Sequence, residues 1–144
     1  MGIFDKFKRT DEQSSNFMHF SYWLDNVLQQ QLPEGIIAFN FNIYEGSKGT
    51  YDIQLIGSEE FDDNDQDWAC TDFYSSGENI CCIKRVKEIE QWEQGLNYIL
   101  ELTRRYLSEG KNADILKSAS AIGVGFVDGD IEIIYRSQAL CNPM

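Results

Sequence analysis

Asp128-Gly129 stands between two apolar runs, residues 121–127 and 130–135. An Asp-Gly step in that setting is the strongest short-range signal for two antiparallel strands closing on each other. A lone hairpin is marginal in water and needs further strands or a covering helix, so the rest of the chain must supply them. On a two-residue period, Ile131, Ile133 and Tyr135 fall on the core face, opposite Glu132 and Ile134; the apolar Ile134 also implies a strand covered on both sides.

Further strands are legible upstream. Residues 36–45 alternate, with Phe39, Phe41 and Ile43 facing one way and Ala38, Asn40, Asn42 and Tyr44 the other. Gly46-Ser47-Lys48-Gly49 is turn chemistry, and residues 50–56 resume the alternation with Tyr51, Ile53 and Leu55 on one face, which predicts a hairpin. An acidic loop to Asp67, a strand over 68–74, a turn over 75–79 and a short strand over 80–84 follow. Two helices are expected. Over 15–32, Phe17, Phe20, Leu24, Val27, Leu28 and Leu32 recur at three- and four-residue steps, with Phe17, Phe20 and Trp23 as core anchors, Ser14 or Ser15 as N-cap and Pro33-Glu34-Gly35 as the stop. Over 87–109, Ile89, Trp92, Leu96, Ile99, Leu100, Thr103 and Leu107 form a second stripe, weakened slightly by Gly95 and closed by Gly110 at the C-cap. A short helical turn over 113–118 precedes the final hairpin.

This order predicts a single α+β domain over residues 1–144, a mostly antiparallel sheet covered by two main amphipathic helices, with 1–14 and 136–144 as flexible ends. At 144 residues and 42% hydrophobic, the chain is long enough for one core without disulfide or metal support. No apolar run approaches the ~20 residues that cross a bilayer. The first nine residues lack the apolar core and cleavage site of a secretory signal, so the expected compartment is the cytoplasm.

Sequence motifs for chemistry are incomplete. The cysteines, Cys70, Cys81, Cys82 and Cys141, include no C-x-x-C pair, and the single histidine, His19, lies about fifty residues before the first of them, which excludes a zinc pattern; they are expected as reduced, buried small hydrophobes. Cys81 and Cys82 should point to opposite faces of a strand. His19 is expected on the solvent side of its helix. Gly123-Val124-Gly125 is followed by a strand and not by the helix that a phosphate loop requires, so Gly123 and Gly125 mark a face where another element comes close. Asp63, Asp65 and Asp67 alternate like calcium ligands, but the sixth and twelfth positions are Trp68 and Tyr74 instead of glycine and glutamate. No cofactor or metal is expected, and no catalytic residue.

Charge is the informative feature. With 24 acidic against 12 basic residues the net charge is −12, which argues against nucleic acid as a direct ligand. Between Lys48 and Lys84 lie 35 residues without Lys or Arg, holding Asp52, Glu59, Glu60, Asp62, Asp63, Asp65, Asp67, Asp72 and Glu78. Such a block repels itself and steers a basic partner. Phe61, Trp68, Phe73 and Tyr74 are interleaved with it. Glu59, Glu60, Asp62, Asp63, Asp65, Asp67 and Asp72, with Trp68 as aromatic anchor, are therefore the candidate partner-binding residues.

The segment Tyr51-Asp52-Ile53-Gln54-Leu55-Ile56-Gly57-Ser58, the stretch Asp65-Gln66-Asp67-Trp68-Ala69-Cys70 and the closing Gly123-Val124-Gly125-Phe126-Val127-Asp128-Gly129-Asp130 resemble, in overall character, small bacterial cytoplasmic proteins. Some of these are similar to immunity proteins of contact-dependent or polymorphic toxin systems. The resemblance implies a small acidic antidote without catalytic activity that binds a toxin domain, often a nuclease with a basic cleft, and blocks substrate access. The alternative expectation is a small enzyme or ligand-binding protein with a pocket between sheet and helices.

Overall fold

The computed structural model describes residues 2–70 and 73–138, with side chains from residue 15 onward. In chain order the elements are α1 (Gly2–Gln29), β1 (Ala38–Gly46), β2 (Thr50–Ser58), a 3-10 turn (Gln66–Cys70), β3 (Tyr74–Ser75), β4 (Cys81–Lys84), a second 3-10 turn (Lys87–Ile89), α2 (Trp92–Glu109), α3 (Ala113–Lys117), β5 (Ala121–Phe126) and β6 (Glu132–Arg136). The fold is α+β, as the element order predicts. The six strands of the described residues form one mixed sheet in the order β3-β2-β1-β5-β6, with β4 also paired to β2. Because β1 occupies one edge of β2, β3 and β4 share the other.

The alternating segments fold as expected. β1 and β2 close at Gly46↔Thr50 over a three-residue loop in which Gly49 takes φ +74°, a conformation that favours glycine. Phe39, Phe41 and Ile43, with Tyr51, Ile53 and Leu55, point into the main core, which Phe20, Trp23, Leu24, Val27 and Leu28 of α1 and Ile99, Tyr106 and Leu107 of α2 complete. Two helices thus cover one face of the sheet. Tyr106 ties them together: its hydroxyl donates to Asp25 Oδ1 at 2.5 Å and accepts from the Asn112 backbone N–H at 3.1 Å. Burial, and then Asp25, hold this phenol well above its usual range. Tyr106→Phe is expected to cost about 1–3 kcal/mol in urea unfolding, because it strips both partners at once; an unchanged midpoint would show that water replaces the hydroxyl.

Several expectations are corrected. α1 does not begin at a Ser14 or Ser15 cap but runs from Gly2, since no proline or glycine interrupts residues 3–32. It stops at Gln29, three residues short of Leu32. Phe17 is only half-buried, under Arg105, whose guanidinium lies 4.0 Å from its ring centroid. α2 starts at Trp92, where Gln91 and Gln94 form a reciprocal capping box. The strand expected over 68–74 is a 3-10 turn followed by the two-residue β3.

The final hairpin is present, but its turn differs. The Gly129 N–H donates to the Phe126 carbonyl, so Val127-Asp128 form the corner, and Gly129 lacks the positive φ of a two-residue Asp-Gly turn. The register shifts between Ile122 and Gly123, leaving Ile134 as an extra residue in β6. The three residues expected on one face are consequently split: Tyr135, joined by Ile134, packs against the main core, while Ile131 and Ile133 pack on the other side of the sheet.

The non-local pairing was not foreseen. β5 runs parallel to β1, with Asn40 opposite Gly123 and Asn42 opposite Gly125. The close approach expected at these glycines is real. A Cβ at Gly123 would lie 2.6 Å from Ile131 Cγ2, and one at Gly125 would lie 2.5 Å from the Asp130 carbonyl oxygen.

Candidate functional site

The acidic segment leaves β2 and crosses the face of the sheet opposite the helices. Glu59, Glu60, Asp62, Asp63, Asp65 and Asp67 are all exposed. Asp72, also expected here, lies outside the described residues. Trp68 does not fit the role of interface anchor. It is 2% exposed and forms a second small core with Ala38, Ala69 and Ala121, edged by Phe61, Ile131 and Ile133. The Phe61 ring meets it at 5.2 Å between centroids, near perpendicular. The indole fits because β1 and β5 present alanines side by side there, Ala38 opposite Ala121.

Local hydrogen bonds give the segment a defined course. Asp62 Oδ1 accepts the Asn64 N–H at 2.8 Å, and Asp65 Oδ1 accepts the Asp67 N–H at 3.0 Å. Arg136 of β6 donates to both oxygens of Asp63, at 2.6 and 3.4 Å, and this hydrogen bonding lowers the Asp63 pKa. The Ile131 N–H donates to Gln66 Oε1. Between segment and strand lies a hollow of about 280 Å³, with Asp62, Asp63 and Glu132 on its wall.

A larger open groove, about 1030 Å³, lies around the C-terminal ends of the parallel strands β1 and β5, against the first turns of α2 and the β5–β6 connection. Ile43, Leu96 and Phe126 supply apolar walls, and Trp92, 52% exposed, packs edge-on to Phe126 at 6.3 Å. Glu45, Glu93, Asp128, Asp130 and Glu132 also line it, and among the described side chains no Lys, Arg or His does. Glu132 is common to groove and hollow, so the two sets of acids adjoin in one band, in which Arg136, paired with Asp63, also lines the hollow.

The sequence reading missed the groove. Trp92 was expected within a buried stripe, but it occupies the first position of α2, where the helix overhangs the end of the sheet. The five acids come from β1, α2, the last connection and the start of β6. Only the alternating Asp128, Asp130 and Glu132 gave a local sign of it.

The groups considered for chemistry are dispersed. Cys81 is buried, and burial pushes its thiol up to about 12; Cys82, on the opposite face as expected, is exposed, and its thiol is also raised, first by desolvation and then by Asp52. Neither is an activated thiolate. Cys70 and Cys82 are exposed, contrary to the expectation of uniformly buried cysteines, and Cys141 lies outside the described residues. His19 is solvent-facing as expected, its Nε2 3.2 Å from the Cys82 carbonyl oxygen. Among the described residues no three His, Cys, Asp or Glu side chains are grouped to hold a metal ion, and no helix is long and apolar enough to cross a membrane. Comparison with protein families, with curated proteins and with solved structures finds no match to this chain.

Proposed function

We propose that the chain is a non-catalytic acidic binding protein that neutralises a basic protein partner, as an immunity protein of a toxin system neutralises its toxin domain in the cytoplasm. The observation that carries this reading is the acidic band, running from the exposed segment 59–67 through Glu132 into the groove. Its carboxylates are held on ordered backbone, so a partner would meet a preformed surface and lose little freedom in ordering it. A predominantly acidic surface, with Arg136 engaged by Asp63, repels nucleic acid and attracts the basic cleft of a protein that binds it.

The test begins by capturing the partner with the protein as bait and continues with association kinetics. Glu59, Glu60 and Asp67 are the acids to reverse, since their carboxylates make no hydrogen bond that shapes the segment, whereas Asp63 holds Arg136. The triple variant Glu59→Lys, Glu60→Lys, Asp67→Lys should fold normally and associate about tenfold or more slowly, with a flattened salt dependence. Exposed charges act at range and are screened over ~8 Å at physiological ionic strength. A wild-type association rate in this variant would reduce the segment to a solubilising surface.

A further inference from the structure

We propose that the groove between the ends of β1 and β5 and the start of α2 receives an arginine-bearing segment of the basic partner, with Trp92 as its stacking surface. The inference rests on the binding-protein reading above and adds where the partner anchors and through which side chain.

Charge selects the sign of the occupant. Five carboxylates line the groove, and among the described side chains no basic one does. A helix N-terminus can seat an anion, but here the Gln91–Gln94 capping box already engages the first turn of α2, and Glu93 adds a negative charge to it. An anionic ligand would thus meet repulsion from the five carboxylates. The apolar half then selects among cations. A lysine ammonium is compact and strongly hydrated, whereas a guanidinium is planar, weakly hydrated and stacks on indole while its edges donate to carboxylates. Trp92, Phe126 and Leu96 beside Glu93 and Asp128 offer both kinds of contact within one concavity. Size points to a chain segment. At about 1030 Å³ and open to solvent, the groove is at or above the upper end of the ~300–1,000 Å³ typical of small-molecule pockets. Its place outside the carboxyl ends of parallel strands is also where open α/β sheets commonly hold ligands.

The three tryptophans make the test direct. Trp23 and Trp68 are 5% and 2% exposed, so emission accessible to acrylamide reports Trp92. Hexa-arginine and hexa-lysine peptides are titrated into three proteins: wild type; a groove variant, Glu93→Gln, Asp128→Asn, Asp130→Asn; and a segment variant, Glu59→Gln, Glu60→Gln, Asp67→Asn. Circular dichroism confirms the fold of each. Hexa-arginine should bind the wild type more tightly than hexa-lysine and shield Trp92 from quenching. The groove variant should lose about tenfold or more in affinity, a change of 1.4 kcal/mol or more, and the segment variant less than about threefold. Binding that survives in the groove variant but fails in the segment variant, with Trp92 still quenchable, would overturn the groove and leave the acidic-partner reading standing. Equal affinity and equal shielding by both peptides would overturn the choice of arginine. No binding of either peptide to any protein would overturn both readings.

Discussion

Trp68→Ala is expected to lower folding stability by about 3–5 kcal/mol, the usual range for truncating a buried tryptophan. Against the ~5–15 kcal/mol that holds a domain together, this leaves a marginal fold. The indole is the centre of the second core, and its neighbours cannot close the gap: Ala38 and Ala121 belong to paired central strands, Ile133 is paired with Gly123 beside the β5–β6 bulge, and the Ile131 N–H is bound to Gln66. Removing it also removes the floor under the acidic segment, so partner binding should fall too. Trp68→Phe separates the two effects, since it keeps an apolar ring against Phe61 and should cost well under the alanine variant. If Trp68→Ala instead left urea unfolding unchanged and weakened only partner binding, Trp68 would be an interface anchor and not a core side chain.

The same residue shows how much of the molecule was legible in its sequence. Alternation at β1 and β2 is a short-range signal, and those strands appear where it places them, with the expected face turned inward. Residues 68–74 contain enough aromatic side chains to resemble a strand, but Trp68 and Ala69 pack as neighbours in a 3-10 turn. Period alone cannot tell those apart over seven residues. The parallel pairing of β1 with β5 joins segments some eighty residues apart, and nothing local announces it. This pairing creates the groove, bringing Glu45 near Asp128 and Asp130. The acidic segment was legible because its charges are contiguous; the groove was not, because its charges are assembled by topology. Asp63 was visible as one acid among several, while its partner Arg136 belongs to the last strand and is found only through the fold.

Gly95→Ala gives a prediction in which two effects oppose each other. On propensity alone, replacing a glycine inside a helix by alanine stabilises by about 1 kcal/mol. Gly95 is buried in α2 directly over the ring of Tyr51, and a Cβ built there would overlap Tyr51 Cζ and come within 2.5 Å of its hydroxyl oxygen. The ring has nowhere to go. Tyr51 is wholly buried in β2, its hydroxyl donates to the Ile89 carbonyl at 2.6 Å, and Phe126 packs against it at 5.9 Å. Overpacking of this kind costs about 1–3 kcal/mol and occasionally more, and with backbone on one side and an anchored ring on the other the upper part of that range applies. The net expectation is a loss of about 2 kcal/mol, read as a melting temperature lower by about 4–8 °C. The cause is checked in a Tyr51→Leu background, where the ring and its hydroxyl are gone. There Gly95→Ala should become neutral or stabilising, giving a coupling energy of about 2–3 kcal/mol in the double-mutant cycle, within the range seen for residues in contact. Equal effects of Gly95→Ala in both backgrounds would show that the contact with Tyr51 does not govern this position.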